Sequence, residues 1–184
     1  MKFIPQSIPD VLLIEPIVHT DERGYFMETF RQDLLEEALG YQVNFIQDNE
    51  SESVSKGVLR GLHYQSPPFA QRKLIRVIKG RVLDVVVDIR TDSPTFGNHV
   101  AVELSEKNKN QVFIPQGFAH GFLVLSERAI FAYKVDSYYS AEHNEGIAYN
   151  DKSIAINWGL PEKDIKLSEE DHNNPSLTDK KKLF

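Results

Sequence analysis

An all-β fold, an antiparallel sandwich or jelly-roll barrel with a few short peripheral helices, is what this 184-residue sequence predicts. Three observations carry that reading. From Val58 to Val135 the chain is a succession of β-branched and aromatic runs of strand length. The gaps between the runs are tight-turn signals. No segment of helical period separates them, which argues against a βαβ arrangement.

The elements follow in order. Arg31–Leu39 is rich in good helix formers, places Leu34, Leu35, Ala38 and Leu39 on one stripe, and stops at Gly40, so it reads as a short peripheral helix. Strands are expected at Lys73–Lys79, Arg81–Arg90, His99–Leu104, Gln111–Ile114, Gly121–Leu125 and Ala129–Val135. Lys79-Gly80, Asp92-Ser93-Pro94, Lys107-Asn108-Lys109-Asn110 and Pro115-Gln116-Gly117 supply turns between them. Alternation puts Leu83, Val85, Val87 and Ile89 on an apolar face and Val82, Asp84, Val86 and Asp88 on a mixed one. The mixed face is read as meeting water, with buried aspartates as the alternative. Lys73 shares a face with Ile75 and Val77, and Tyr133 shares one with Phe131 and Val135. A polar group on an apolar strand face suits a lined cavity, and snorkelling at a strand end explains Lys73 equally well. After Tyr139 the chain reads as loops and short helical turns, ending in a charged tail with Lys180-Lys181-Lys182 taken as frayed and solvated.

Composition narrows the function classes. With no internal repeat or linker, residues 1–184 are expected to form one domain: 1–57 the amino-terminal strands and short helix, 58–140 the barrel core, 141–184 the carboxy-terminal loops. Zero cysteines exclude a Cys-based zinc site and a thiol nucleophile. The amino terminus breaks its apolar character with Pro5, Pro9 and Asp10, and no run approaches the roughly 18 apolar residues of a membrane span. A cytoplasmic protein without membrane partners is expected. The 27 acidic against 21 basic side chains, net −6, argue against nucleic acid as the main partner.

The charge distribution is more telling than the total. Between Arg60 and Arg81 lie six basic residues, Arg60, Arg72, Lys73, Arg76, Lys79 and Arg81, and no acid. That is a local positive field suited to a diphosphate; the alternative is a solvated strand face paired with acids elsewhere. Arg60 and His63 stand three apart around Gly61, and His120 follows Pro115-Gln116-Gly117-Phe118-Ala119. A histidine whose tautomer is fixed by a carboxylate removes a carbon-bound proton near neutral pH. Taken alone, either histidine also reads as a structural one.

The Pro-x-Gly-x-x-His segment resembles the second motif of cupin barrels. Metal-binding cupins supply His-x-His from the first motif, whereas this chain has His63-Tyr64-Gln65, so the site is read as metal-free. A closer resemblance rests on Asp21-Glu22-Arg23-Gly24-Tyr25-Phe26-Met27-Glu28, Gln47-Asp48-Asn49-Glu50-Ser51, Val58 to Gln65, Asp84 to Arg90, and Phe113 to Phe122. In order, from about Pro9 to Asp171, these segments are similar to the dTDP-4-dehydrorhamnose 3,5-epimerase family.

The resemblance implies a cupin-like fold and a cofactor-independent acid/base inversion of the two carbons flanking the 4-keto group of dTDP-4-dehydro-6-deoxy-D-glucose, in dTDP-L-rhamnose biosynthesis. It implies that His63 is the base, held by Asp171, that Tyr133 returns a proton from the opposite side, and that Lys73 faces the 4-oxygen. For the nucleotide end it implies Arg23 and Arg60 at the diphosphate, Gln47, Asn49 and Glu28 at the thymidine, Tyr139 stacked on the base, Phe26 among the substrate contacts and His120 lining the sugar pocket. It further implies a homodimer that exchanges amino-terminal strands, so that Arg23 and Glu28 serve the neighbouring subunit. Two positions depart from the family pattern: Asn144, five residues after Tyr139, where an acid is frequent, and Glu170, before the dyad aspartate, where a lysine is common. Related readings on the same scaffold are a single-site 3- or 5-epimerase and a 3,4-ketoisomerase. A reading of a different class is a nucleotide-sugar-binding cupin without catalysis, which would have no use for His63 opposite Tyr133.

Overall fold

A computed structural model describes residues 1–180 and 183–184. The strands are β1 (Lys2–Pro5), β2 (Leu12–Glu15), β3 (Val18–Asp21), β4 (Gly24–Met27), β5 (Gln47–Ser53), β6 (Leu59–Gln65), β7 (Lys73–Lys79), β8 (Arg81–Asp88), β9 (His99–Ser105), β10 (Gln111–Ile114), β11 (Phe118–Val124), β12 (Ala129–Val135) and β13 (Asn144–Gly146). Two short helices, α1 (Gln32–Leu39) and α2 (Glu169–His172), and three 3₁₀ turns complete the elements. The strands form an antiparallel sheet in the order β1-β2-β10-β7-β12-β5, another in the order β13-β6-β11-β8-β9, and a separate β3-β4 hairpin. The all-β antiparallel expectation holds. No helix among the described residues is long and apolar enough to cross a membrane.

The two large sheets face each other over a core that draws Ile75, Val77, Val112 and Phe131 from one and Val82, Val86, Phe118 and Phe122 from the other. A second core lies on the far side of the five-stranded sheet, where Leu62, Val85, Val87 and Ile89 are covered by Ile154, Trp158 and Leu177. A third lies outside the six-stranded sheet, under Leu35 of α1. Gly40 ends α1 at φ +75°, its N–H donating to the Glu36 carbonyl. Ala38 is exposed, so the helix buries a narrower stripe than its spacing suggests.

Two expectations are corrected. The mixed face of β8 does not meet water: Asp84 and Asp88 are fully buried, because the carboxy-terminal segment covers one face of this sheet while the opposing sheet covers the other. The chain end is not frayed at its last residues either. The Phe184 carbonyl accepts from Thr91 N–H at 2.9 Å, and its ring meets Tyr64 edge-on. Lys180 pairs with Glu145. Lys181 and Lys182, from the same tail, lie outside the described residues.

Candidate active site

One cavity of about 590 Å³ opens between the two sheets. From the five-stranded sheet come Arg60, His63, His120 and Phe122; from the six-stranded sheet come Ser51, Lys73, Phe131 and Tyr133; and the segment Lys166–Asp171 closes one side. His63 and His120 are direct partners in the β6–β11 ladder, so they project side by side. Val135 pairs with Lys73 across β12 and β7, and Tyr133, two residues along, shares that face. Histidines therefore occupy one wall and the lysine and tyrosine the other. Phe122 and Phe131 stack at 4.1 Å and 11° and form an apolar floor.

A regular strand would turn Arg60 and His63 to opposite faces, since they are three residues apart. Both reach the cavity because the β6–β11 register shifts between His120 and Phe122. The shift is built on Gly61, which has φ +116° and lies against the other strand: a Cβ there would stand 2.6 Å from the His120 carbonyl oxygen and 2.7 Å from Gly121 Cα. Arg60 then leans across the mouth to donate to the Glu52 carbonyl at 3.1 Å.

Both cavity histidines are paired with a buried carboxylate. His63 Nε2 lies 2.5 Å from Asp171 Oδ1, and Asp171 is buried at the α2 turn, where its N–H donates to Ser168 Oγ at 3.1 Å. A carboxylate accepts, so Nε2 carries the proton and Nδ1 is left as the basic nitrogen. His120 Nε2 lies 2.8 Å from Asp84 Oδ2, while Asp84 Oδ1, also buried, has no hydrogen-bond partner among the described residues. Burial holds the Lys73 ammonium down to about 8, with the Asp84 charge pulling it upward. Burial also raises the Tyr133 phenol above its ordinary value, opposed by Arg60 and aided by Tyr139. The site thus offers a base on one wall and, on the other, a protonated phenol with a cation beside it.

Of the residues singled out from sequence, the structure gathers Arg60, His63, Lys73, His120, Tyr133 and Asp171 in this cavity. Gln47 and Asn49, bonded to each other at 2.8 Å, share a strand face with Ser51 and continue its wall outward. Tyr139 is exposed and not part of the lining. Within one chain Arg23, Phe26 and Glu28 do not reach the cavity: Arg23 and Phe26 sit in the β3–β4 hairpin, and Glu28 pairs with Arg31 at 3.3 Å. The basic run divides. Arg60 and Lys73 face the cavity, whereas Arg72 pairs with Asp136 at 2.7 Å and Arg81 with Glu103 at 3.5 Å. Sequence reasoning passed over Ser51, Phe122 and Lys166 as lining residues. Lys166 is delivered by a parallel bridge to Val58, which no local pattern announces.

The model of one protein family, described as dTDP-4-dehydrorhamnose 3,5-epimerase, matches residues 5–179. The chain belongs to the dTDP-4-dehydrorhamnose 3,5-epimerase family. Its relative of that name from Shigella flexneri is 54% identical over 179 residues, covering 97% of each chain. The archaeal counterpart from Methanothermobacter thermautotrophicus is 49% identical over 94% of this chain and 92% of its own. Among solved structures, the family's enzyme from Elizabethkingia anophelis superposes with a TM-score of 0.94 at 48% identity, covering 99% of both chains. That from Legionella pneumophila, in complex with dTDP-4-keto-L-rhamnose, gives 0.92 at 50% identity over 96% of this chain and 93% of the other. Asn144 and Glu170, the two residues singled out from this epimerase-family sequence as unusual, stand together: Asn144 Nδ2 lies 3.4 Å from Glu170 Oε1, and Glu170 lines the cavity.

Proposed function

We propose that the protein is a dTDP-4-dehydrorhamnose 3,5-epimerase that inverts C3 and C5 of dTDP-4-dehydro-6-deoxy-D-glucose by acid/base chemistry. The observation that carries this reading is the placement of His63 and Tyr133 on opposite walls of one cavity, with Lys73 beside them. Inversion needs a proton removed from one face of a carbon and another delivered to the opposite face.

His63 Nδ1 takes the proton from the carbon next to the ketone, and the C–H electron pair moves onto the 4-oxygen as an enolate. The Lys73 ammonium faces that oxygen and stabilises its charge where the Phe122–Phe131 floor excludes water. The enolate then takes a proton from the Tyr133 hydroxyl on the other side; His63 gives its captured proton to solvent and the Tyr133 phenolate regains one from solvent, which resets the pair for the second carbon. Asp171 holds His63 in the required tautomer, and Asp84 does the same for His120 at the sugar. Arg60 binds the diphosphate, Gln47 and Asn49 address the thymidine, and Tyr139 stacks on its base.

The same reading makes the protein a homodimer. Among the described residues the β3–β4 hairpin forms a sheet of its own and leaves Tyr25 and Phe26 exposed with Ile17, an apolar arm that a second copy would cover. Arg23, Phe26 and Glu28 then complete the neighbouring subunit's site. Residues 1–184 act as one folding unit, since the core clusters draw on residues from Ile8 to Leu177.

Proton NMR of the keto sugar incubated with the protein in D2O tests the reading. Deuterium entering at both C3 and C5 is the expected result. Exchange at one carbon alone would indicate a single-site epimerase, and binding without exchange would leave a nucleotide-sugar binder.

A further inference from the structure

Three residues beyond the Asp171 carboxylate, Asn174 lays its side-chain amide over Gly146. A Cβ on Gly146 would stand 2.1 Å from Asn174 Oδ1, 2.4 Å from Cγ and 2.4 Å from Nδ2. All three atoms are nearly equidistant, so the amide lies flat across the space that any other residue would fill with its side chain. Gly146 is not among the glycines with positive φ, so it is a glycine for room and not for backbone conformation. Asn174 Nδ2 is buried with no hydrogen-bond partner among the described residues, and packing against Gly146 is what the amide gains in that place.

The contact has the dyad on both sides. Gly146 is the ladder partner of His63 across β13 and β6. On the other side Asn174 follows the α2 turn, which is closed by Asn173 N–H to the Glu170 carbonyl at 3.1 Å. The turn is tethered by Ala148 N–H to the Pro175 carbonyl at 2.8 Å. We propose that Asn174 is a positioning residue: the thickness of its amide against Gly146 sets how deeply the α2 turn seats on β13, and so sets the separation of Asp171 from His63. This rests on the epimerase reading of that dyad, and the test separates the two.

The full chain is compared with Gly146→Ala, Asn174→Ala and the double variant. Two quantities are read: kcat and KM for the keto sugar, and the downfield imidazole N–H resonance of the His63–Asp171 hydrogen bond. In Gly146→Ala the methyl displaces the amide, and kcat is expected to fall about a hundredfold with KM changed by less than about threefold and the resonance shifted or lost. In the double variant the new methyl occupies the vacated space, so kcat and the resonance are expected to return towards wild type. Should Gly146→Ala not fold, Asn174→Ala carries the test, with a shifted resonance and about a tenfold lower kcat expected. A wild-type resonance and kcat in Gly146→Ala, or in Asn174→Ala, overturn the proposal, as does a double variant no better than Gly146→Ala. Absence of deuterium exchange in the wild-type protein would instead overturn the epimerase reading, while the resonance would still report the seating.

Discussion

His63 Nε2 and Asp171 Oδ1 meet at 2.5 Å although 108 residues separate them in the chain. The carboxylate is buried and the imidazole opens to the cavity, so the acid is placed to fix the tautomer and the proposed mechanism gives the proton transfer to the ring. Asp171→Asn keeps the shape but replaces an acceptor-only carboxylate with a neutral amide that can present its NH2 to the ring, so Nε2–H is no longer selected. It is expected to lower kcat about a thousandfold or more with KM little changed, measured by steady-state kinetics on the keto sugar. An Asp171→Asn enzyme within about tenfold of wild type would remove the dyad from the mechanism.

The pH profile is expected to report Lys73. Its ammonium, held to about 8 by burial, is charged below that value and neutral above it. The cation is the form that stabilises an enolate, so kcat/KM should decline above about pH 8, approaching tenfold per pH unit. Tyr133, whose phenol is raised by burial, stays protonated through the same range and does not produce that limb. A profile flat to pH 10 would be incompatible with a catalytic ammonium.

Asp84 should move that limb. Its charge pulls the Lys73 ammonium upward against burial, so Asp84→Asn leaves burial unopposed and the decline of kcat/KM should begin at lower pH than in wild type. A limb that stays in place or moves to higher pH contradicts the coupling.

Subunit mixing tests the exchanged arm. If Arg23 serves the neighbouring site, a dimer of one His63→Ala chain and one Arg23→Ala chain contains one site with both native residues and one with neither. Each parent should be weak and the mixture should regain activity, up to about half of a wild-type dimer per heterodimer. No gain on mixing, with heterodimer formation verified by mass spectrometry, places Arg23 in its own chain's site or in none.

Gly61→Ala should be costly for the fold. The methyl meets backbone, 2.6 Å from the His120 carbonyl oxygen, at φ +116°, and neither strand yields cheaply. A loss of about 3 kcal/mol or more, seen as a melting temperature lower by roughly 10 °C, is expected from thermal unfolding. Unchanged melting would mean that the two strands separate there without penalty.

Much of this was legible in the sequence, and the misses have physical causes. Runs such as Lys73–Lys79 and Ala129–Val135 announce themselves because β-branched and aromatic residues fill them, and the structure returns the same bounds. Strand β6 was harder to read: glycine and a run of polar residues interrupt it, and its alternation fails at the point where Gly61 bends the ladder. The burial of Asp84 was hidden for another reason. A strand pattern shows which residues share a face, but the face that Asp84 shares with Val82 and Val86 is covered by the opposing sheet, while the apolar face is covered by a segment some 70 residues later, and neither cover is visible locally. Motif resemblance gathered His63, Lys73, Tyr133 and Asp171 where periodicity could not, since they come from different elements.

The shifted register of β6 has a consequence for what the cavity can measure. With both side chains turned inward, Arg60 and His63 are held on one stiff strand, and three residues of strand span no more than roughly 10 Å. On the proposed epimerase reading, a guanidinium at one end and an imidazole at the other act as a ruler between the anionic linker of a ligand and its reacting carbons. A free sugar would then lack the first mark and a longer linker would overshoot the second, so the strand itself would select for chain length before any base is read.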